Sequence, residues 1–548
     1  MGSMRQAVTV AVVLLGAALA LPVPGRAATT SGFPVGYGGY HTYAEMVDEL
    51  DAVVAEHPDI AAKIALPPTG ATSYEGRTIW ALKISDNVGA DEDEPEVLFD
   101  SLTHAREHLT VEMDLHLIHL LTDNYRANEG NIDTQLEARA TDIVNSLEIW
   151  VVPMLNPDGG EWDIATSDFR NWRKNRQPVA DGVRGIDLNR NFSFKWACCG
   201  GSTGRPGSLY YRGQRPWQAP EAAAMRDFVL SRVVGGRQQI RASISWHSFN
   251  EEIMWPYGYT YANLPRTMSA DDLTAFRALG EGMAELNGYT AQQLSDLYIQ
   301  DGTSIDWLYG DQRIFAFIIE LYPTDNSHVG GFYPPDSVII RETTRNDEAM
   351  LWFLENADCP YRAAGMGDTH CGPLNDDFET GRGWQVDPQG SDSATGGAWQ
   401  RAAPQKNYTS AGVKQRAYGF SGLAALVTGA HRGGSANAND LDGASSVRSV
   451  PIKLGSAGST GWTLSLRYTF AHDARSSAAD FLRVSIDGTP VFLQAGTAAN
   501  RNAAWMALSV DLDAFAGQTV RILIEACDCA ADSLVEAAID DVRVYQVP

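Results

Sequence analysis

The feature that most constrains this chain is a histidine and a glutamate three residues apart, where a predicted strand meets a predicted helix. Residues 95–102 (PEVLFDSL) alternate apolar side chains as a short buried strand does, and apolar residues then recur at helical spacing. His104 and Glu107 therefore lie at a strand-to-helix turn, where α/β sheets place ligand sites. Both residue types bind zinc, and a catalytic zinc normally takes three protein ligands and a water. The sequence predicts a zinc site here, with a third ligand from elsewhere in the chain.

Strand and helix patterns alternate from residue 43 to residue 356. Predicted strands cover 77–84, 96–101, 146–154, 240–246 and 314–321, and predicted helices cover 43–56, 107–125, 219–231, 270–287 and 341–356. Nearly continuous apolar strands that alternate with helices indicate an α/β fold, with a mixed, mostly parallel twisted sheet covered by helices on both faces. The segment from 156 to 220 has little periodicity, and loops of that length are usually functional.

The composition changes after Cys359. From Asn375 onward, short alternating runs such as GWTLSLRYTF and TVRILIEA are separated by glycine and serine, a pattern typical of an all-β sandwich or jelly roll. A chain of 548 residues is also too long for one ordinary hydrophobic core. We therefore predict an α/β domain at 33–358, a linker at 359–374 and a β-sandwich module at 375–548.

The first 27 residues have the pattern of a secretory signal peptide: Arg5, an apolar run that ends at Leu21, and small residues around Ala27. The apolar run is short for a membrane span, and no later stretch is long and apolar enough to be one. The formal net charge of −26 argues against nucleic acid as a partner. We expect a secreted, extracellular and monomeric protein that binds neither membranes nor nucleic acid.

The cysteines support the same compartment, because an even number in a secreted chain indicates disulfides. They fall into three neighbouring pairs, Cys198 with Cys199, Cys359 with Cys371, and Cys527 with Cys529. The pair at 359 and 371 is the simplest bridge to predict, and the other two pairs are candidates for local bridges. Zinc binding by these cysteines is not expected, since no two pairs share a C-x₂-C spacing.

Further polar residues occur at predicted strand ends and in the long loop. His247 follows IRASISW, Glu320 ends the apolar run IFAFIIE, and Asn189-Arg190 lie in GIDLNRNF. Singly they are weak evidence, because a histidine at a strand end more often makes a structural hydrogen bond. Together with the ordered motifs GYHTY, NPDG, WRKNR, YRG, PYGYT and GTSIDW, they make residues 40–356 resemble the zinc carboxypeptidases of the A/B type. The resemblance is strongest to the secreted bacterial carboxypeptidase T and Streptomyces group.

That resemblance implies a catalytic role for five residues. His104, Glu107 and His247 would bind one catalytic Zn²⁺ ion. Glu320 would be the base that activates the attacking water, and Arg173 would polarise the scissile carbonyl. The implied activity is hydrolysis of the C-terminal peptide bond in peptides and proteins that have a free C-terminus.

The resemblance also implies the residues that contact substrate. Asn189, Arg190 and Tyr298 would hold the terminal carboxylate, and the planar guanidinium is suited to bidentate pairing with it. Arg106 would contribute to the outer subsites. Ile305 would form the base of the pocket for the terminal side chain, where an apolar residue favours aromatic or aliphatic substrates.

Asp301, four residues before Ile305, leaves the specificity open. It could admit a terminal lysine or arginine as a second choice. It could equally be a loop cap beside Gly302.

Three other interpretations have to be compared with this one. His104-x-x-Glu107-His108 also spells an inverted zincin motif, in which both histidines would bind the metal; that reading leaves Arg190, His247 and Glu320 without roles. A catalytically inactive, carboxypeptidase-like binding protein is a second possibility, although such relatives usually lack the base or a metal ligand. A carboxypeptidase acting on cell-wall peptides is the third.

The β module shows no catalytic set, but its two ends carry acidic pairs. The first and last strands of such a sandwich are often adjacent, so these carboxylates could meet around a structural Ca²⁺ ion. The four candidates are Asp376, Asp377, Asp540 and Asp541. Solvated turn acids are the alternative. The module is also a candidate for binding an extracellular polymer.

Overall fold

The computed structural model describes residues 32–547, apart from 69, 93, 128–131, 133, 235–236, 327–330, 431–433, 439, 457–460 and 531–532. The predicted signal peptide at 1–27 lies outside the described residues. Helices and one large sheet occupy the chain up to His370, and strands dominate from Leu374 onward. In the described part of the chain, none of the helices combines the length and the apolar character that a membrane crossing needs.

One mixed sheet forms the centre of the first region. Its strands are β1 (Ala61–Ala65), β2 (Trp80–Ile84), β3 (Glu96–Asp100), β4 (Glu148–Val152), β5 (Ile240–Ser248), β6 (Glu252–Trp255), β7 (Thr290–Gln293) and β8 (Phe315–Leu321). Their order across the sheet is β1-β2-β4-β3-β5-β8-β6-β7. The central strands β4, β3, β5 and β8 run parallel, whereas β1, β2 and β6 pair with their central-side neighbours in antiparallel fashion. The predicted α/β fold with a mixed, mostly parallel sheet is confirmed.

Helices cover both faces of this sheet. The α-helices are α1 (Tyr43–Glu56), α2 (Leu109–Thr122), α3 (Gln135–Val144), α4 (Pro157–Asp163), α5 (Pro220–Ser231), α6 (Ala270–Asn287), α7 (Leu294–Leu297), α8 (Ser304–Gln312), α9 (Ile339–Thr344), α10 (Asp347–Ala357) and α11 (Gly367–His370). Alternate residues of β3 belong to different cores: Phe99 packs in the core that includes α2 and α10, whereas Leu98 packs in the core that includes α5. Burial on both faces explains why the central strands are nearly continuous apolar runs.

Two predicted elements differ in extent. The strand predicted over 77–84 begins only at Trp80, because the backbone of residues 77–79 pairs with residues 71–73: Ser73 N donates to Arg77 O at 2.8 Å and Ile79 N to Ala71 O at 2.9 Å. The closing helix predicted over 341–356 is two helices, α9 and α10. The break falls beside the buried Asn346, whose Oδ1 accepts a hydrogen bond from Asn287 at 2.9 Å. Long-range side-chain contacts of this kind have no periodic signature in the sequence.

The segment from 156 to 220 contains only short elements. Besides α4 they are the paired strands Pro178–Ala180 and Val183–Arg184 and a 3₁₀ turn at Leu188–Arg190. Most of the segment is loop, as predicted, and it packs along the carboxyl ends of the central strands.

The second region consists of two main sheets that share one core. The first contains Leu374–Asp376, Trp399–Ala402, Ala425–Thr428, Gly461–His472, Met506–Asp511 and Val535–Val547, and the second contains Gln385–Val386, Gly443–Arg448, Phe481–Ile486, Thr489–Ala495 and Ile522–Asp528. Leu464 and Val544 of the first sheet lie in the same core as Leu482 and Ile524 of the second, which is the arrangement of a β-sandwich. The predicted domain limits stay a prediction, but the change to β structure falls within the predicted linker.

The two regions are joined by a buried arginine. Arg313 follows α8 in a left-handed conformation (φ 57°), and its side chain is 6% exposed. Its Nη2 lies 3.5 Å from both Asp377 Oδ2 and Glu379 Oε2 of the β module, and Nη1 donates to Thr267 O at 2.8 Å. Arg313 lies between α8, which carries Ile305, and β8, which carries Glu320, so these ion pairs connect the β module to the link between the two elements.

We expect Arg313→Met to destabilise the protein by about 3 kcal/mol, because it leaves two enclosed carboxylates without their cation. The measurement is the shift of the denaturation midpoint in urea. Arg362→Gln is the matched control: it removes an exposed pair with Asp358 and should cost less than about 1 kcal/mol. Equal midpoints for the two variants would contradict a structural role for Arg313.

Candidate active site

Three buried side chains converge beyond the central strands. His104 and Glu107 occupy the turn between β3 and α2, and His247 lies near the end of β5. Glu107 Oε1 is 2.9 Å from His104 Nδ1, and Glu107 Oε2 is 2.9 Å from His247 Nδ1. Potential ligand atoms of the three residues all lie within 4.8 Å of one another. Two imidazoles and one carboxylate are a donor set of a catalytic zinc site, so the group fits the ion that the sequence predicts.

The pKa shifts of Glu107 and His104 favour the protonation states that bind a metal ion. Burial opposes ionisation of Glu107, yet the His104 and His247 imidazoles hold the pKa of its carboxyl well below the usual range. Burial and the nearby Arg173 guanidinium lower the pKa of His104, which favours the neutral imidazole. A metal ligand must be a carboxylate or a neutral imidazole, so both shifts favour metal binding. Burial opposes protonation of His247, but its hydrogen bond to Glu107 and the charge of that carboxylate outweigh burial and raise its pKa, so a metal ion has to displace a proton there.

The far nitrogens of both imidazoles are also held. His104 Nε2 lies 3.2 Å from Asp187 Oδ1. His247 Nε2 lies 3.4 Å from Ser245 Oγ, which donates to Asp100 Oδ2 at 2.9 Å. Such partners orient ligand rings and fix the tautomer. Sequence reasoning missed them all; only Asp187 had a signal, its place in GIDLNRNF two residues before Asn189.

Glu320 and Arg173 lie beside the three-residue group. Glu320 of β8 is directly opposite His247 in the parallel pairing of β8 with β5. Burial and the charge of Glu107 raise the pKa of Glu320 to about 8. Arg173 Nη1 lies 3.9 Å from Glu107 Oε1, and its Nη2 lies 3.1 Å from Asp187 Oδ2. A carboxyl of raised pKa and a fixed cation thus flank the zinc ligands.

The predicted carboxylate clamp is assembled from two loops. Arg190 is completely buried, yet its Nη2 donates to the hydroxyl of Tyr298 at 3.1 Å, and Tyr298 is 41% exposed. Arg190 Nη1 donates to Asn189 O at 2.6 Å, and Asn189 Oδ1 accepts from Ser304 N at 2.8 Å. These bonds connect the 3₁₀ turn at 188–190 to the start of α8, so the clamp and α8, the helix that carries Ile305, form one unit.

Ile305 and Asp301 have different surroundings. Ile305 lies on α8, is completely buried and packs in the α5-side core. Asp301 is also completely buried, and its carboxylate accepts hydrogen bonds from Cys199 N at 3.0 Å, Gly201 N at 3.1 Å and the hydroxyl of Ser202. Three donors from a neighbouring loop match the loop-cap interpretation of Asp301.

Two aromatic residues that the sequence did not single out complete the surface of the site. The Arg106 guanidinium lies 3.7 Å from the centre of the Phe332 ring, and its Nη1 donates to Asn171 Oδ1 at 2.9 Å. Tyr210 lies within 6 Å of both the Arg173 and Arg190 guanidinium groups. Neither aromatic residue stands in a periodic pattern that would have marked it.

His108 lies outside the metal group. Its Nε2 is 3.1 Å from Asp163 Oδ2, and that carboxylate also accepts from the hydroxyl of Tyr333 at 2.9 Å. The inverted zincin interpretation, which needs His108 beside His104, is therefore wrong.

The calcium expectation receives no support from the carboxylates named for it. The first and last strands of the module are paired, as expected, with Asp376 opposite Val542. However, no three of the four aspartates, all within the described residues, place oxygens within 4.8 Å of one another. Asp540 Oδ2 instead accepts from Phe420 N at 2.6 Å, and Asp376 Oδ2 accepts from Trp384 Nε1 at 2.8 Å. Calcium binding stays a prediction.

The predicted disulfides are all present, Cys198 with Cys199, Cys359 with Cys371, and Cys527 with Cys529. Two of them lie away from the metal group. The first lies in the loop that bonds to Asp301.

Comparison with known proteins agrees with the geometry of the site. The sequence profile of the zinc carboxypeptidase family matches residues 46–349. A zinc carboxypeptidase from Saccharothrix mutabilis subsp. capreolus is 48% identical over 336 residues, which cover 61% of this chain and 74% of that protein. Human carboxypeptidase A1 is 31% identical over 341 residues, covering 61% of this chain and 74% of that protein.

Solved structures give the same result. The crystal structure of thrombin-activatable fibrinolysis inhibitor superposes with a TM-score of 0.50 at 26% identity, over 58% of this chain and 74% of that one. The profile match covers more than half of the chain and includes the three zinc-ligand candidates and Glu320. The chain belongs to the zinc carboxypeptidase family of peptide hydrolases.

Proposed function

We propose that this protein is a secreted, extracellular metallocarboxypeptidase that releases hydrophobic or aromatic residues from the C-termini of peptides and proteins. The observation that carries the proposal is the buried Arg190 guanidinium, bonded to the exposed Tyr298 hydroxyl, beside the His104–Glu107–His247 group and Glu320. An endopeptidase has no use for a buried cation that receives a carboxylate.

Substrate binding begins at the clamp. The planar guanidinium of Arg190 pairs with a terminal carboxylate through two parallel hydrogen bonds, and the Asn189 side chain fixes the turn that carries it. The exposed phenol of Tyr298 is the part of the clamp that solvent and substrate reach first. The family resemblance puts Ile305 at the base of the pocket for the terminal residue, where an apolar side chain favours phenylalanine or leucine, and α8, which carries Ile305, is bonded to Asn189 at its start.

Catalysis then uses Glu320 and Arg173. His104, Glu107 and His247 would hold a zinc ion, which would supply Lewis-acid chemistry and make water more acidic. Glu320 takes a proton from the attacking water and returns it to the leaving amine, for which its raised pKa is suited. Arg173 places fixed positive charge where the oxyanion develops, a contribution of about 3 kcal/mol per donor. Its anchoring to Asp187 keeps that charge in place before substrate arrives.

Secretion is part of the proposal. It is supported by the signal-peptide pattern of residues 1–27 and by three disulfides, since disulfides persist mainly outside the reducing cytoplasm. The natural partners are then extracellular peptides and proteins, and the β module is a candidate for holding the enzyme to an extracellular polymer.

Glu320→Gln is expected to lower kcat for a blocked dipeptide ending in phenylalanine by about 10²–10⁴-fold, with zinc still bound in a one-to-one ratio. Release of free phenylalanine and metal analysis are the measurements. Glu252→Gln is the matched control, because Glu252 is opposite Glu320 on β6 and is not part of the mechanism. No zinc-dependent release by the unaltered protein from any free-carboxylate substrate would refute the exopeptidase proposal, and cell-wall peptides and an inactive binding protein would then be tested.

Ile305→Asp is expected to reverse the specificity, because it adds a carboxylate at the base of an apolar pocket. The ratio of kcat/KM for substrates ending in lysine to those ending in phenylalanine should rise at least about 100-fold, as expected when a charged group gains a buried partner. Ile299→Asp adds the same charge to the loop that leads to α8 and is the control. A fall in lysine release in Asp301→Asn, with phenylalanine release unchanged, would make Asp301 the determinant for basic residues and contradict its assignment as a loop cap.

Asp306 gives a pH-dependent prediction. It follows Ile305 on α8 and is completely buried, and burial raises its pKa from 3.8 to about 7 despite hydrogen bonds from Gly258 N and Tyr259 N. Between these values the folded state holds the proton and the unfolded state does not, so this residue's contribution to stability falls as pH rises from about 4 to 7.

Asp306→Asn removes that titration, although it also costs one acceptor at every pH. The difference in free energy of unfolding, variant minus unaltered protein, should therefore rise by roughly 4 kcal/mol between pH 4 and pH 8. Urea unfolding at both pH values measures it. The exposed Asp59→Asn serves as control and should show no such rise; a flat difference for Asp306→Asn would contradict the assigned burial.

A further inference from the structure

A turn closed by a disulfide lies directly behind the carboxylate clamp. The disulfide joins the consecutive residues Cys198 and Cys199, and both side chains are exposed. We call residues 197–202 the disulfide turn. On its inner side, Cys199 N and Gly201 N donate to Asp301 Oδ2, at 3.0 and 3.1 Å, while Gly201 O accepts from Arg190 Nε at 3.2 Å. The turn thus bonds to the clamp arginine and to the segment that follows Tyr298.

The disulfide turn packs directly against the backbone of residues 300 and 301. A Cβ atom on Gly201 would lie 2.4 Å from Gln300 Cα and 2.6 Å from Asp301 N, so the two backbones touch. Gln300 and Asp301 stand between Tyr298 and the pocket helix α8. Any displacement of the disulfide turn therefore moves either Arg190 or the 300–301 segment.

The covalent bond restricts how the turn can move. A disulfide between neighbouring residues closes a small ring that contains the peptide bond, which limits the backbone dihedrals of both residues. Fixing a backbone conformation in advance removes an entropic cost that the turn would otherwise pay whenever its N–H groups bond to Asp301. The ring lies at the surface, whereas the bonds it orients lie in the buried clamp.

We propose that the Cys198–Cys199 disulfide is a positioning element of the substrate-carboxylate clamp, so that the redox state of this bond sets the affinity for the terminal residue of the substrate. The proposal rests on the proposed carboxypeptidase function. The zinc-ligand candidates and Glu320 lie on β5, β8 and the turn after β3, whereas the hydrogen bonds of the disulfide turn go to Asp301, Arg190 and Lys195. Opening the ring therefore weakens binding and leaves the chemical step intact.

The first test is reduction of the folded enzyme with a water-soluble phosphine. The phosphine is oxidised to its oxide with an oxygen atom from water, and the disulfide takes up two electrons and two protons to give two thiols. Alkylation and mass analysis show which cysteines were opened. We expect KM for a blocked dipeptide ending in phenylalanine to rise about tenfold, the equivalent of one lost hydrogen bond to a charged group, with kcat within about twofold. Reoxidation should restore KM.

Variants make the same test without a reductant. Cys198→Ser/Cys199→Ser should reproduce the rise in KM, and Cys527→Ser/Cys529→Ser, which removes a disulfide of the β module, should not. Gly201→Ala keeps the disulfide but displaces the turn through its Cβ, and it should also raise KM. Binding of free L-phenylalanine, measured by calorimetry, should weaken in parallel because a released residue occupies the clamp.

Two results would overturn the proposal. Unchanged KM and unchanged L-phenylalanine affinity after the ring is opened would show that the turn positions nothing. A fall in kcat or in bound zinc without a change in KM would show that the turn supports the metal group instead of the clamp. Failure of the unaltered enzyme to release residues from any substrate would count against the proposed function itself, and it is seen before any cysteine is changed.

Discussion

The site depends on one buried charge balance, that of Glu107 with the cations and dipoles around it. An isolated carboxylate enclosed by protein would take up a proton, because burial penalises the charged form. Here the His104 imidazole lies next to its Oε1 atom and the His247 imidazole lies next to its Oε2 atom. Arg173 lies 3.9 Å from Oε1. Arg173 is in turn balanced by Asp187, which also holds His104. The charges of Glu107, Arg173 and Asp187 are stabilised by their neighbours, so the residues around the metal group keep the Glu107 carboxylate ionised.

The register of the parallel strands brings the residues of the site together. Glu320 and His247 are partners across parallel strands, and the His104–Glu107 turn begins directly after a third parallel strand. This is why residues more than 140 positions apart in sequence could be assigned to one site: polar residues at the ends of apolar strands must meet if the strands are central and parallel. The α/β class and the His104–Glu107 pair as part of a zinc site were therefore accessible from the residues themselves. The roles of His247, Glu320, Arg173 and Arg190 needed the family resemblance.

Other features had no local signature. Asp100 and Ser245 look like ordinary strand residues until β3 and β5 are paired, and only then does Ser245 reach both Asp100 and His247. Sequence spacing alone could not decide whether Asp301 or Ile305 determines the specificity. The difference between them is that a loop from another part of the chain supplies three hydrogen-bond donors to Asp301. The surroundings of the acidic pairs in the β module had no local signature either. Their strands are adjacent, and a backbone amide donates to Asp540 while an indole donates to Asp376.

Two buried carboxyl groups at the candidate active site reduce the stability of the folded protein. Asp306 and Glu320 are enclosed carboxyls whose pKa values are raised by burial, so each opposes folding when it ionises near neutral pH. Such groups persist when the surrounding structure is stable enough to hold them. Here that stability comes in part from outside the α/β region: Arg313, between the pocket helix and the strand of Glu320, is balanced by Asp377 and Glu379 of the β module. The module therefore stabilises the residue that links the two elements bearing the buried carboxyls.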